Sequence, residues 1–192
     1  MNFLFNPFKR YSEKVLLIIG VFFTLIGSYL AIVFKARFDG VLDFHFVSTV
    51  LPRQPLVDNL INIFCLTALL FAVGKYLNSG TRVIDILATV IVARIPYYLL
   101  PILNTNNMMT DVTKDLVQSV NAGQVEQIAP AELSILLLFT LIIILVLVWY
   151  IYLLYKGFKV AVNAKDTKAT VLFFGMVLVA EVLSKFLIFH LN

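Results

Sequence analysis

Charge is scarce in this chain: Asp, Glu, Lys and Arg together make up 14% of 192 residues, against a hydrophobic share of 61%. Soluble domains carry roughly 25% charged and about 45–50% apolar residues. A single water-soluble core of this length does not account for so much apolar surface. The mean hydropathy of +0.96 points to a bilayer as the solvent. Cysteine is almost missing as well. Cys65 stands alone, which excludes an intrachain disulfide framework and leaves a small apolar residue inside an apolar run. Histidine occurs only at His45 and His190, without the partner spacing of a zinc site, so no metal is expected. The basic excess gives a net charge of +4. These residues are dispersed rather than gathered in a stripe with exposed aromatics, so nucleic acid is not an expected partner. H-E-x-x-H, G-x-S-x-G and Gly-rich phosphate motifs are also lacking, and Ser134, Thr140 and Ser184 have no histidine in a motif that would activate them. Neither enzymatic activity nor a cofactor is expected.

What is there is a succession of apolar runs, which predicts an all-α integral membrane protein with a bundle of five transmembrane helices. Residues 1–192 read as one membrane domain. Residues 1–13 form an interfacial segment, with Phe3, Phe5, Phe8 and Tyr11 at headgroup depth beside Lys9 and Arg10. Helices are expected at residues 14–34, 56–77, 82–104, 132–155 and 168–190. The first run spans about 20 residues, too long for a signal-peptide core, and no A-x-A cleavage site follows it. Its Gly20, Thr24, Gly27, Ser28 and Ala31 recur on one helical face, a surface for close packing against a neighbouring helix, an oligomer or a partner.

The connections carry expectations of their own. In the loop after the first run, Val41, Leu42, Phe44, Phe46, Val50 and Leu51 are suited to anchoring at the interface. Asn78–Thr81 reads as a tight turn, with Gly80 at a helix C′ position and Thr81 at the next N-cap. Pro96 lies inside the third run and frees the carbonyl of Val92, which then needs another partner. Residues 105–131 are an outer loop containing an amphipathic surface helix, marked by Met109, Val112, Leu116 and Val120 at helical spacing. Residues 156–167 form a short basic loop, either setting topology or binding a partner. There Phe158, Val160 and Val162 dip into the interface, while Lys159 and Lys165 meet headgroups.

Orientation follows from the loop cations. Nine Lys and Arg residues fall on the side of the N-terminus and four on the other, which places the N-terminus in the cytoplasm and the C-terminus outside. Trp149, Tyr150, Tyr152 and Tyr155 then form an inner aromatic belt.

Three charges fall where lipid is expected. Arg94 lies 12 residues beyond Arg82, and Glu181 lies 13 beyond Lys168. At about 1.5 Å per residue both reach roughly 18–20 Å into an apolar core of about 30 Å. Lys185 is one turn further out on the Glu181 face. Each charge costs roughly 2.5–3.5 kcal/mol if left unpaired at that depth. The spacing therefore predicts an Arg94–Glu181 pair, with Lys185 snorkelling outward or sharing the carboxylate. Asp58 and Asn62, one turn apart, are expected to complete the cluster. It serves either as a structural pair fixing which helix faces meet or as a polar cavity for a proton, an ion or a lipid headgroup.

The stretch from Leu154 through Lys156-Gly-Phe-Lys-Val-Ala-Val-Asn-Ala-Lys-Asp-Thr-Lys168, running on to Ala180-Glu-Val-Leu-Ser-Lys185, resembles the end of the YIP1 domain family. Ala93-Arg-Ile-Pro96 and Asn6-Pro-Phe8 are similar to its bacterial members. The resemblance implies a five-helix protein with a cytoplasmic N-terminus, in a bacterial inner membrane. Eukaryotic relatives act in vesicle trafficking and contact Rab-type GTPases. This chain lacks their long hydrophilic N-terminal region and Asp-Leu-Tyr-Gly-Pro type motif, so the GTPase contact is not carried over to it. The expected function is a non-enzymatic membrane scaffold or membrane-organising, trafficking-like protein. Its partners are the lipid bilayer and, laterally, a second copy or another membrane protein. The alternative is a small transporter or channel using Arg94, Glu181 and Lys185.

Overall fold

A computed structural model describes residues 5–123, 130–163 and 166–191. Phe3, Lys165 and residues 124–129, named above, lie outside the described residues, as does the side chain of Glu132. Five helical segments are long and apolar enough to cross a membrane. They pack as a bundle around the third, the most deeply buried of the five.

Helix α1, Glu13–Val33, turns its small residues inward: Gly20, Thr24, Gly27, Ser28 and Ala31 are all buried. Ile91 packs directly over Gly20 and Tyr98 over Gly27, so close that any side chain there would overlap them. The small face is thus spent inside the bundle, against the third span, and is not free for an oligomer. The chain then forms a loop held by a two-residue antiparallel ladder, β1 (Ala36–Arg37) with β2 (His45–Phe46). Of the anchors expected in this loop, Val41 turns into the bundle, while Leu42, Phe44, Phe46 and Val50 are half-buried and Leu51 is exposed. Ala36, Phe38 and Val41 are completely buried. An apolar loop residue gains more from a packed helix core than from a headgroup layer, provided its backbone finds polar partners there.

Helix α2 is Gln54–Leu77, with Pro55 in its first turn, where a missing N–H costs nothing. The following turn is built differently from the expectation. Arg82, not Thr81, sits at the N-cap of α3 (Val83–Ala93), and Gly80 has no left-handed φ. Asn78 organises the turn: its Oδ1 accepts the Gly80 N–H at 2.9 Å, while Thr81 Oγ1 donates back to the Gly74 carbonyl at 3.0 Å. Pro96 ends α3. The carbonyl of Val92 accepts the Ile95 N–H at 3.2 Å, and the chain continues as 3₁₀ turns over Pro96–Asn107, broken by non-helical backbone at Asn104–Asn106. Helix α4, Met108–Asn121, is the amphipathic helix expected in the polar stretch, with Met109 buried.

Helix α5, Pro130–Val162, runs 33 residues, and α6 is Thr167–Leu191. The basic segment after Tyr155 is therefore helix and not loop. Phe158 and Val162 are buried in the core and do not dip into an interface. They continue, at four-residue spacing, the stripe begun by Tyr150 and Leu154, and Phe158 meets Phe173 of α6 at 5.3 Å between ring centroids. Tyr150 is likewise buried, so it is not part of an aromatic belt.

Candidate functional site

The polar residues meet at the end of the bundle where the loop of residues 34–46 enters. Five backbone groups of that segment are held by side chains of the spans. Asn104 Nδ2 donates to the Phe34 carbonyl at 2.8 Å, and Asn62 Nδ2 to the Phe38 carbonyl at 2.7 Å. The Val41 N–H donates to Ser184 Oγ at 3.2 Å, while the Val41 carbonyl accepts from Arg94 Nη1 at 3.2 Å. The Leu42 N–H donates to Glu181 Oε2 at 2.6 Å. Buried irregular backbone requires such partners, because an unpaired N–H or C=O away from water costs about as much as a lost hydrogen bond. Gly40 is needed for the approach: a Cβ on it would fall 2.6 Å from both Glu181 carboxylate oxygens.

Arg94 and Glu181 therefore do not pair. They bind adjacent residues of the loop, one through a carbonyl and the other through an N–H. The second Arg94 contact is Nη2 to Asn59 Oδ1 at 3.1 Å, and Asn59 Nδ2 passes a 3.0 Å bond on to Ser28 Oγ. Among the described residues no ion pair includes Arg94. Its guanidinium carbon lies 5.6–5.8 Å from the ring centroids of Tyr97, Tyr98 and Tyr150. Aromatic faces are the electrostatic environment that a desolvated cation gets here, worth about 2 kcal/mol or more in such settings. Arg94 Nε, Tyr97 Oη, Tyr150 Oη and Asn62 Oδ1 are buried and make no hydrogen bond among the described residues.

The other predicted residues are placed as follows. Lys185 bridges Glu181 Oε1 at 3.1 Å and Asp43 Oδ2 at 2.8 Å, so it ties α6 to the loop. Asp58 takes Arg37 in a two-point contact, Nε to Oδ2 at 2.6 Å and Nη2 to Oδ1 at 2.9 Å. Asn62 holds the loop and, among the described residues, hydrogen-bonds to neither Arg94 nor Glu181. Sequence reasoning missed Arg37, Asp39, Asp43, Asn59, Asn104 and Ser184. One signal was available: Asp58, Asn59 and Asn62 crowd one face of an otherwise apolar helix, which demands something polar opposite.

Asp39 sits between His45 Nδ1 at 3.4 Å and Arg37 Nε at 3.5 Å. Burial pushes its carboxyl above the ordinary range, only partly offset by these two neighbours. Arg37, Asp39, Asp43 and Lys185 also border a vestibule of about 500 Å³ at this end. Among the described residues no group of three His, Cys, Asp or Glu side chains is placed to hold a metal. Chemically the site is a receptor for a piece of backbone, ringed by charges of both signs. Family models, curated proteins and solved structures yield no match for this chain.

Proposed function

We propose that this is a multi-pass protein of a bacterial cytoplasmic membrane that acts without catalysis, by lateral association in the bilayer. The N-terminus lies in the cytoplasm and the C-terminus outside, as the distribution of loop cations supports. The observation that carries the reading is the commitment of the intramembrane polar groups: Arg94, Glu181, Ser184 and Asn62 hold the loop and so maintain one fixed shape. Meanwhile α5 presents Leu137, Leu141 and Leu145 outward, at 72%, 54% and 60% exposure. The YIP1-type resemblance agrees with five helices and short connections, but no family match accompanies it, and the GTPase role is not part of the proposal. Photo-crosslinking from position 141 in cells tests it. Discrete protein adducts, to a second copy or another membrane protein, are expected; adducts to lipid alone contradict it.

A second reading, a small transporter or channel, is favoured by the vestibule and by the partnerless polar atoms of Arg94, Asn62, Tyr97 and Tyr150. Asn62→Cys in a Cys65→Ala background separates the two. Reaction with an impermeant thiol reagent from outside supports a path through the loop, and protection supports the scaffold.

A further inference from the structure

At the opposite end of the bundle a cavity of about 360 Å³ is lined by Asn6, Lys9, Lys156, Lys159, Val160 and Asn163. Among the described residues, three ammonium groups border it and no carboxylate does. None of the ion pairs among the described residues uses any of the three lysines. Lys156 and Lys159 rest instead over the rings of Tyr152 and Tyr155, at 5.2 and 5.5 Å from the centroids. Asn6 Oδ1, on the cavity wall, is buried and has no hydrogen-bond partner among the described residues. Three cations around one cavity repel each other unless an anion joins them.

The neighbouring groove supplies the other half of a ligand. It is a narrow, apolar space of about 100 Å³, whose walls include Pro7, Ile19, Ile95, Leu99, Trp149 and Leu153. Successive residues Asn6 and Pro7 line one space each. Along α5, Leu153 and Lys156 are three residues apart, about 4.5 Å of rise. A free phosphate explains the lysines but not the groove, whereas an apolar chain alone explains the groove but not the lysines.

We infer that this is a binding site for an acidic phospholipid, its phosphate among Lys9, Lys156 and Lys159 and part of one acyl chain in the groove beside Trp149. A basic pocket between spans at the cytoplasmic surface is a recurring form of headgroup recognition. The lysines of this segment then act on one lipid, beyond setting topology. The inference rests on the membrane reading above.

Trp149 is the single tryptophan of the chain, so it reports on the groove directly. Full-length protein is reconstituted in vesicles containing phosphatidylcholine or phosphatidylglycerol with brominated acyl chains, and quenching of Trp149 gives the relative affinity of the two lipids. The expected result is about tenfold preference for phosphatidylglycerol, equivalent to about 1.4 kcal/mol. The preference falls toward one in Lys156→Gln/Lys159→Gln and persists in Lys156→Arg/Lys159→Arg. Equal quenching by both lipids, or a preference indifferent to the Gln changes, overturns the site. If the Gln variant does not fold, the same vesicles with wild-type protein and rising NaCl decide it: a preference that does not weaken with salt contradicts the lysine site. Competition by millimolar inorganic phosphate that abolishes the preference overturns the lipid in favour of a soluble anion. Failure of the membrane reading is distinguishable, because neither brominated lipid then quenches Trp149.

Discussion

Replacing Gly40 by alanine adds one methyl group at the point where loop and bundle are closest. The new Cβ falls 2.6 Å from Glu181 Oε1 and Oε2 and 2.8 Å from Cδ. The carboxylate ends a flexible side chain and can retreat, but it is held by the Leu42 N–H at 2.6 Å and by Lys185 at 3.1 Å. Retreat gives up a hydrogen bond to a charged group, worth about 1.5–3 kcal/mol. Overpacking costs on the order of 1–3 kcal/mol where nothing yields. Since either route relieves the other, the expected loss is that of the cheaper one, about 1–3 kcal/mol. On the scale of soluble proteins of this size that lowers the unfolding midpoint by about 2–12 °C. Thermal unfolding in mild detergent, followed by size exclusion or circular dichroism, reads it. Glu181→Ala removes the obstacle, at the cost of leaving the buried Leu42 N–H unpartnered, about 1–3 kcal/mol. In Gly40→Ala/Glu181→Ala the second change should therefore absorb most of the first, with a coupling of about 2 kcal/mol. Strict additivity of the two changes, or a neutral Gly40→Ala, refutes the contact.

Three further outcomes follow from the same packing. Asn62→Ala leaves the Phe38 carbonyl without its donor and should cost about 1–3 kcal/mol; amide exchange at Val41 and Leu42 should quicken while the centres of α2 and α6 stay protected. Gly27→Ala drives a methyl into the Tyr98 ring and should destabilise the single chain by on the order of 1–3 kcal/mol, a loss seen in thermal unfolding without any change of oligomeric state. Asp39→Asn tests the sign of a titration. The folded state raises the Asp39 carboxyl, so its stabilising share is present at acid pH and is lost as pH rises through the raised value. The amide avoids that loss, so the variant should be at least as stable as wild type at pH 7, with the difference shrinking on acidification; a variant less stable at pH 7 contradicts the burial argument.

The five apolar runs, the small face of α1 and the amphipathic α4 were legible because they repeat at helical spacing. The third span was legible only in part. Pro96 marks the end of α3, but the 3₁₀ continuation depends on what Arg94 and the tyrosines pack against. Depth counting also worked as far as it went: Arg94 and Glu181 do reach one level, at Val41 and Leu42. Their partners were hidden because backbone groups of a loop carry no mark in the sequence, and opposite charges at equal depth read as a pair. Val41, Leu42 and Phe44 read as interfacial anchors for a similar reason. Apolar spacing in a loop says that the residues leave water, not which apolar surroundings they enter. The helical course of residues 156–162 was obscured by Lys156 and Lys159, whose charges lie at the bundle's rim while Phe158 and Val162 face its core.

The claim that Arg94 and Glu181 each hold the loop, and not one another, is tested most directly by exchanging them. Thermal stability is measured for Arg94→Glu, Glu181→Arg and the double exchange in one detergent. A glutamate at 94 cannot donate to the Val41 carbonyl, and an arginine at 181 cannot accept the Leu42 N–H, so the double variant should be no more stable than the worse single one. Recovery of the double toward wild type would establish the direct ion pair and contradict the loop-receptor account.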